Sequence, residues 1–256
     1  NVNLGRNECA ALANLLCHPA TELHTLDLRD NGIADEGVDA LVGDLANSRL
    51  SVLDLSENSN VGARGCQSLA ALLENLNSNL EELRLYENNI GNEGALIFAN
   101  ALTRNRKLKT LGLDFNGITA EGWSAFSNVL FDTTSINSTF LSNHTLESLG
   151  YMRSNLPVDV RSYLTLNRSS EDKKQVAIKK IVKQHQHFDM TPFFELELKV
   201  LPLAVHWFER AISIHNNEEA QIRKHKLGAI YQFIRAMPEV FEPAPAAAAG
   251  GGGKRK

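Results

Sequence analysis

The sequence predicts a right-handed α/β solenoid with parallel strands on its concave side, helices on its convex side and an all-α C-terminal cap. Three observations carry this prediction. A segment with the pattern L-x-x-L-x-L-x-x-N occurs four times in the first half of the chain. The apolar landmarks behind each copy are spaced 28 or 29 residues apart. After Pro157 the pattern is lost and the chain reads as helices. Self-similarity at such a period marks stacked supersecondary units. One unit cannot bury its own apolar face, so it stacks on its neighbours and leaves a long open surface.

The strands come first in each unit. They read Leu23-His-Thr-Leu26-Asp-Leu28-Arg-Asp-Asn31, Leu50-Ser-Val-Leu53-Asp-Leu55-Ser-Glu-Asn58, Leu80-Glu-Glu-Leu83-Arg-Leu85-Tyr-Glu-Asn88 and Leu108-Lys-Thr-Leu111-Gly-Leu113-Asp-Phe-Asn116. Alternate residues of a strand point to opposite faces, so the leucines turn inward together. The Asn side chain has a donor and an acceptor for the bend, where the strand ladder has ended and the helix has not begun. Asn31, Asn58, Asn88 and Asn116 are therefore expected to stack as a structural ladder. Asn58-Ser-Asn60 has one extra residue before Val61, which predicts a bulged turn there.

The helices follow. Leu4, Ile33, Val61, Ile90 and Ile118 are equivalent, as are Leu12, Leu41, Leu69, Phe98 and Phe126, and then Leu16, Leu45, Leu73, Leu102 and Leu130. Between these landmarks apolar residues fall at i, i+4 and i+8, one face of a helix. Ala34-Asp-Glu-Gly, Gly91-Asn-Glu-Gly and Thr119-Ala-Glu-Gly open the helices with acidic residues where the helix dipole favours them. Asn1-Val2 corresponds to Asp30-Asn31, so the chain is expected to begin inside a unit, as a fragment.

A long repeat with a full helix and alternating 28/29 spacing resembles the ribonuclease-inhibitor subfamily of leucine-rich repeats, over residues 1–156. The resemblance implies a non-catalytic scaffold that binds a protein partner on its concave face. Ribonuclease inhibitor, the sensing domains of NOD-like receptors and the activator of the Ran GTPase share the subfamily. It therefore also admits a regulator of a small GTPase, or a ligand-sensing fragment of a NOD-like receptor-type protein.

Residues 1–156 thus comprise a partial unit at 1–22, four regular units, and a degenerate one after an insert at 131–145. The degenerate unit reads Leu146-Glu-Ser-Leu149-Gly-Tyr151, with Ser154 where Asn is expected and Asn155 next. The insert reads as a loop protruding from one rim, with a binding element as the alternative. Residues 157–241 read as a helical cap or module. Val160, Tyr163 and Leu164 share one face of a first helix, and Ser169 or Ser170 can cap a second bearing Val176, Ile178, Ile181 and Val182. Thr191-Pro192 opens an apolar region that Pro202 divides, and a last helix runs from about Asn217 to Met237. The Gln232–Pro243 segment with its Ala/Gly-rich tail resembles the C-terminal region of similar repeat proteins of unicellular algae. Residues 242–256 are low-complexity and expected to be disordered.

Net charge of -4 and a pI near 6.1 argue against a nucleic-acid binder. No apolar run reaches the ~18 residues of a membrane span. Cys9, Cys17 and Cys66 are too few and irregular for a disulfide framework, and Cys9 and Cys66 read as small core residues. Unpaired thiols place the chain inside the cell, in the cytoplasm, with Lys254-Arg-Lys a short nuclear-localisation signal. No phosphate-loop, dinucleotide, metalloprotease or nucleophile-elbow motif occurs, and neither a cofactor nor catalysis is expected. His185-x-His187 offers two metal ligands with no partner at a familiar spacing, so no metal is assigned.

Strand alternation gives the binding surface. The expected concave-face residues that contact a partner are Asp27, Arg29 and Asp30, then Asp54 and Glu57, then Glu82, Arg84, Tyr86 and Glu87, then Asp114 and Phe115, and Arg153 in the degenerate unit. Seven acidic residues against three arginines imply a partner of basic character. Tyr86 and Phe115 are candidate anchors.

Overall fold

The computed structural model describes residues 2–151 and 156–184, which belong to one compact unit, Asn1–Gln184. The sequence readings on Met152 to Asn155, Arg153 included, and on residues 185–256 lie outside the described residues.

The element order is α1 (Arg6–Leu16), β1 (Thr25–Asp27), α2 (Asp35–Leu45), β2 (Val52–Asp54), α3 (Ala63–Glu74), β3 (Glu82–Arg84), α4 (Gly91–Leu102), β4 (Thr110–Gly112), α5 (Ala120–Leu130), α6 (Ile136–Leu141), α7 (Val158–Arg168) and α8 (Lys173–Gln184). The four strands form one parallel sheet in sequence order, as stacked strand–helix units require. Register is constant along the sheet: Leu26 pairs with Leu53, Leu53 with Leu83 and Leu83 with Leu111. The degenerate unit contributes a single bridge, Thr110 to Ser148, while its Leu146 and Leu149 remain in the core.

One continuous interior runs through the units. Leu53, Leu83 and Leu111 are fully buried, as are Leu41, Leu69, Phe98 and Phe126 on the helices behind them. Helices approach closely because glycine stands where they meet: a Cβ on Gly94 would lie 2.4 Å from Ile90 Cγ2 and 2.9 Å from Cys66 Sγ. At the first edge the interior thins out. Leu23, expected inside, is 43% exposed because β1 is the edge strand of the sheet among the described residues.

Polar side chains knit the coils at three places. The Asn ladder is the first. Asn58 Nδ2 donates to the carbonyls of Leu28, Leu55 and Ser56, and its Oδ1 accepts from the N–H groups of Asn31 and Ile33. Asn88 and Asn116 repeat the arrangement one coil further on, and Asn31 Oδ1 accepts from Val2 N. The extra residue after Asn58 is absorbed in a turn closed by Val61 N on Asn58 O at 2.9 Å.

The second ladder, which the sequence reading missed, lies where each strand begins. Ser48 and Ser78 take N–H groups of the following segment, and in later coils Asn105 and Asn143 do so with longer reach. Asn105 Nδ2 also donates to Leu73 O, and Asn143 Nδ2 to Leu102 O and Asn105 O. Asn167 of α7 finishes the series by donating to the carbonyls of Asn143 and Leu146.

The third device caps helices from the neighbouring coil. Asp35 Oδ1 accepts from Gly62 N at 2.7 Å and Gly65 N at 2.9 Å, and so satisfies the open end of α3. Asn92 does the same for α5 through Thr119 N.

The insert at 131–145 is not a protruding loop. Ser135 caps α6 by accepting from Ser138 N, and Thr139, Asn143 and His144 are buried. The short Ser/Thr spacing that suggested a loop supplies the cap. Val160 and Leu164 of α7 are buried with Tyr163 packed against the core, and Tyr163 meets Phe131 edge-on. The cap of α8 also differs from the expected Ser169 or Ser170. Asp172 takes Lys174 N, Ser170 supports Asp172 N, and Ser169 closes α7 instead. Lys180 of α8 is wholly buried. Its Nζ donates to Leu130 O, the last carbonyl of α5, at 2.5 Å and to Asn143 O at 3.3 Å, and it lies 5.7 Å from the Phe131 ring centroid.

Truncating Leu83 to Ala should cost about 2–5 kcal/mol in chemical denaturation, since it sits between two full coils. The same change at Val2, which is 64% exposed, should stay within about 0.5 kcal/mol.

Stability should also depend on pH in two windows. Burial lowers the Lys180 ammonium from 10.5 to about 7 and the His144 imidazole from 6.5 to about 4. For both groups the unfolded chain holds a proton that the folded one has released, so His144 contributes stability that rises with pH from about 4 to 6.5 and Lys180 from about 7 upward, until above about 9 the Cys66 thiol, which burial pushes up to about 12, works in the opposite sense. Lys180→Met should flatten the upper window in melting curves taken across it.

Candidate partner-binding face

The open face of the sheet is built from rows that cross the strands. One row is Asp27, Asp54, Arg84 and Gly112, paired through the strand register. Two like charges stand side by side in it, and arginines resolve the conflict. Asp54 Oδ2 takes Arg29 at 2.9 Å and Arg84 at 3.5 Å, and Ser56 N donates to Oδ1 at 2.9 Å. Burial alone would raise the Asp54 carboxyl, but the bonds from Ser56 and Arg29 hold it below its ordinary value. Arg84 is further held by Glu82 at 2.7 Å, and Arg29 lies 3.8 Å from Glu57.

Asp54 was expected to face solvent and is instead 1% exposed, covered by the two guanidinium groups. Asp114 is corrected likewise, at 7% exposure. Its Oδ2 accepts Tyr151 N at 2.7 Å, and Gly150 lies so close that a Cβ there would collide with the carboxylate. Strand alternation predicts which side of the sheet a residue leaves, but not what then folds over it.

Tyr86 is half-buried, not a free anchor. Its ring lies flat across Gly112, where a Cβ would come 2.3 Å from Cζ, and it stacks on Tyr151 with centroids 5.3 Å apart. Burial, and after it Tyr151, pushes the Tyr86 phenol up. Phe115 is 62% exposed, and Tyr151, which the repeat pattern of the degenerate unit turns inward, is instead 77% exposed. Asp27, Arg29, Asp30, Glu57 and Glu87 are exposed, and Glu82 and Arg84 are half-buried. The face therefore presents an acidic edge, an arginine-clamped centre and an aromatic end.

The opposite rim has a groove of about 760 Å³ lined by Arg49, Lys107, Lys109 and Lys173 among others. These cations are engaged: Lys109 with Glu81, Lys173 with Glu147, and Lys107 with the carbonyls of Leu76 and Ser78. Among the described residues no group of three or more His, Cys, Asp or Glu is placed to hold a metal ion. No helix among them is long and apolar enough to cross a membrane.

Asp54→Ala should destabilise the chain by about 1–3 kcal/mol, because it leaves the buried Ser56 N–H without its acceptor and removes the carboxylate that two arginines share. Urea denaturation against Glu57→Ala, an exposed position of the same coil, separates burial from surface charge.

A family model described as leucine-rich repeat matches residues 21–42, 46–70, 76–99 and 104–127. The chain is 30% identical over 122 residues to RAN GTPase-activating protein 2 of Arabidopsis thaliana, a match covering 47% of this chain and 22% of that protein. It is 31% identical over 150 residues to ribonuclease inhibitor of Mus musculus, covering 58% of this chain and 32% of the relative. It thus spans between a fifth and a third of the length of these relatives. The fold matches that of leiomodin-1 actin-binding site 2 with a TM-score of 0.52 at 18% identity, over 69% of this chain and 95% of that one. With the ladder, the register and the paired helices in place, the repeats of this chain are leucine-rich repeats of the ribonuclease-inhibitor-like type.

Proposed function

We propose that this chain is a non-catalytic scaffold that grips a protein partner of basic character on the open face of its sheet. The observation that carries the reading is the uneven face itself. Asp30, Glu57 and Glu87 stand exposed along one edge and Phe115 and Tyr151 at one end, while Asp54 and Asp114 serve internal structure. Acidic edges speed encounter with a cationic surface, and exposed aromatics supply anchoring area once the partner is seated. Repeats of this kind present such surfaces because each coil adds one strand to a continuous sheet. The free thiols of the buried Cys9 and Cys66 support an intracellular site of action, in the cytoplasm with access to the nucleus.

A second reading is favoured by the similarity to RAN GTPase-activating protein 2, namely that the basic partner is a small GTPase whose hydrolysis the chain regulates. A GTP hydrolysis assay over a panel of purified GTPases separates the two, since a pure scaffold leaves every rate unchanged.

Reversing charge at two exposed positions, Glu57→Lys with Glu87→Lys, should weaken partner binding at least tenfold, about 1.4 kcal/mol. The melting temperature should hold. Recovery of the same partners at the same affinity by the double variant would remove the sheet face from consideration.

A further inference from the structure

Asp30, Glu57, Glu87 and Phe115 occupy the same position in four successive coils, each immediately before its ladder Asn. All four are exposed, and all four have left-handed backbone, with φ between 53° and 60°. Their footing is rigid: Asp30 N donates to Ser56 O, Glu57 N to Tyr86 O and Glu87 N to Asp114 O, each in the following coil. Asp30 and Glu87 form no ion pair among the described residues, and Glu57 has only the 3.8 Å approach of Arg29. The side chains of this row are thus a fixed line of three carboxylates ending in an aromatic ring. Tyr151 widens that end, since its N–H is bonded to Asp114, the residue beside Phe115.

Parallel strands stack about 4.8 Å apart, so the carboxylates span about 10 Å and Phe115 lies about 14 Å from Asp30. An α-helix rises about 1.5 Å per residue, which puts residues i, i+3 and i+7 at about 0, 4.5 and 10.5 Å, and i+10 at about 15 Å. Those four positions share one stripe of the helix. An extended chain presents same-side residues about 6.6 Å apart and is out of step by several ångströms at the third coil.

We propose that this row seats one amphipathic helix of the partner, carrying Lys or Arg at i, i+3 and i+7 and a bulky apolar residue at i+10. The cations meet Asp30, Glu57 and Glu87, and the apolar residue rests on Phe115 and Tyr151. This rests on the sheet face being the partner site and names the chemistry that fits it.

Three synthetic peptides of about 16 residues, a little over four helical turns, test the match with the whole chain. The first is a stapled helix with Lys at i, i+3 and i+7 and Leu at i+10. The second is a stapled helix of the same composition with its lysines scattered around the circumference. The third has the first sequence with two prolines that abolish the helix. Fluorescence anisotropy should show the first binding at least tenfold more tightly than the others. Glu57→Lys and Phe115→Ala should each weaken it at least tenfold, whereas Lys109→Glu on the opposite rim should leave it unchanged. Equal binding of the two helices, both lost in Glu57→Lys, overturns the helical register but leaves the sheet face as the binding face. Binding of the first peptide that neither Glu57→Lys nor Phe115→Ala disturbs overturns both. Absence of binding by the first peptide overturns the helix, and the fate of the face is then read from the partner-capture comparison alone.

Discussion

A buried amide that gives at one end and takes at the other is what lets each coil finish a strand and start a helix. At that bend the backbone has left one hydrogen-bonding pattern and not entered the next, so its carbonyls and N–H groups would be buried without partners. Asn58 supplies both kinds of partner, three carbonyls at its nitrogen and two N–H groups at its oxygen, and one of the carbonyls and both N–H groups belong to the neighbouring coil. Each such group left alone costs about 1–3 kcal/mol. An aspartate would lose the donors, and an alanine would lose everything. The stack of Asn58, Asn88 and Asn116 therefore spaces the coils as well as satisfying them, and the leucine interior closes around that spacing.

The same bend sets the character of the exposed face. Because the residue before each ladder Asn is held in left-handed backbone, and the N–H groups of Asp30, Glu57 and Glu87 are tied to the next coil, these side chains leave the backbone from a defined place at the sheet's edge. Three of these places hold carboxylates and the fourth a phenyl ring. Further in, charge is neutralised locally, with Asp54 under two arginines and Asp114 under the Tyr151 backbone. Acidity that composition assigns to the whole face is concentrated by the structure at one margin.

The fold was legible because its determinants are periodic. Leucines at strand spacing, apolar landmarks at helical spacing and an Asn at the bend are each repeated, and repetition separates signal from local accident. The second ladder escaped because it changes chemistry along the array, from Ser48 and Ser78 to Asn105 and Asn143. The helix within the insert escaped because it is only Ile136–Leu141, too short to show a period. At the candidate site, strand alternation found the solvent side of the sheet correctly, yet Asp54 and Asp114 are buried by side chains and backbone from other coils. Tyr151 was read in the third, inward-facing position of the degenerate unit, yet it is exposed and stacks on Tyr86, 65 positions earlier. Arg153 lies outside the described residues.

The caps lent between coils alternate. Asp35 serves the helix after its own, and Asn92 does so two coils later, but Ala63 and Ala120, at the equivalent positions between and beyond them, have no side chain to lend. The polar link thus joins α2 to α3 and α4 to α5, whereas the seam from α3 to α4 lacks it. Fifty-seven residues, two coils, separate Asp35 from Asn92, and the seam between the two linked pairs closes instead through the close approach that Gly94 permits towards Cys66.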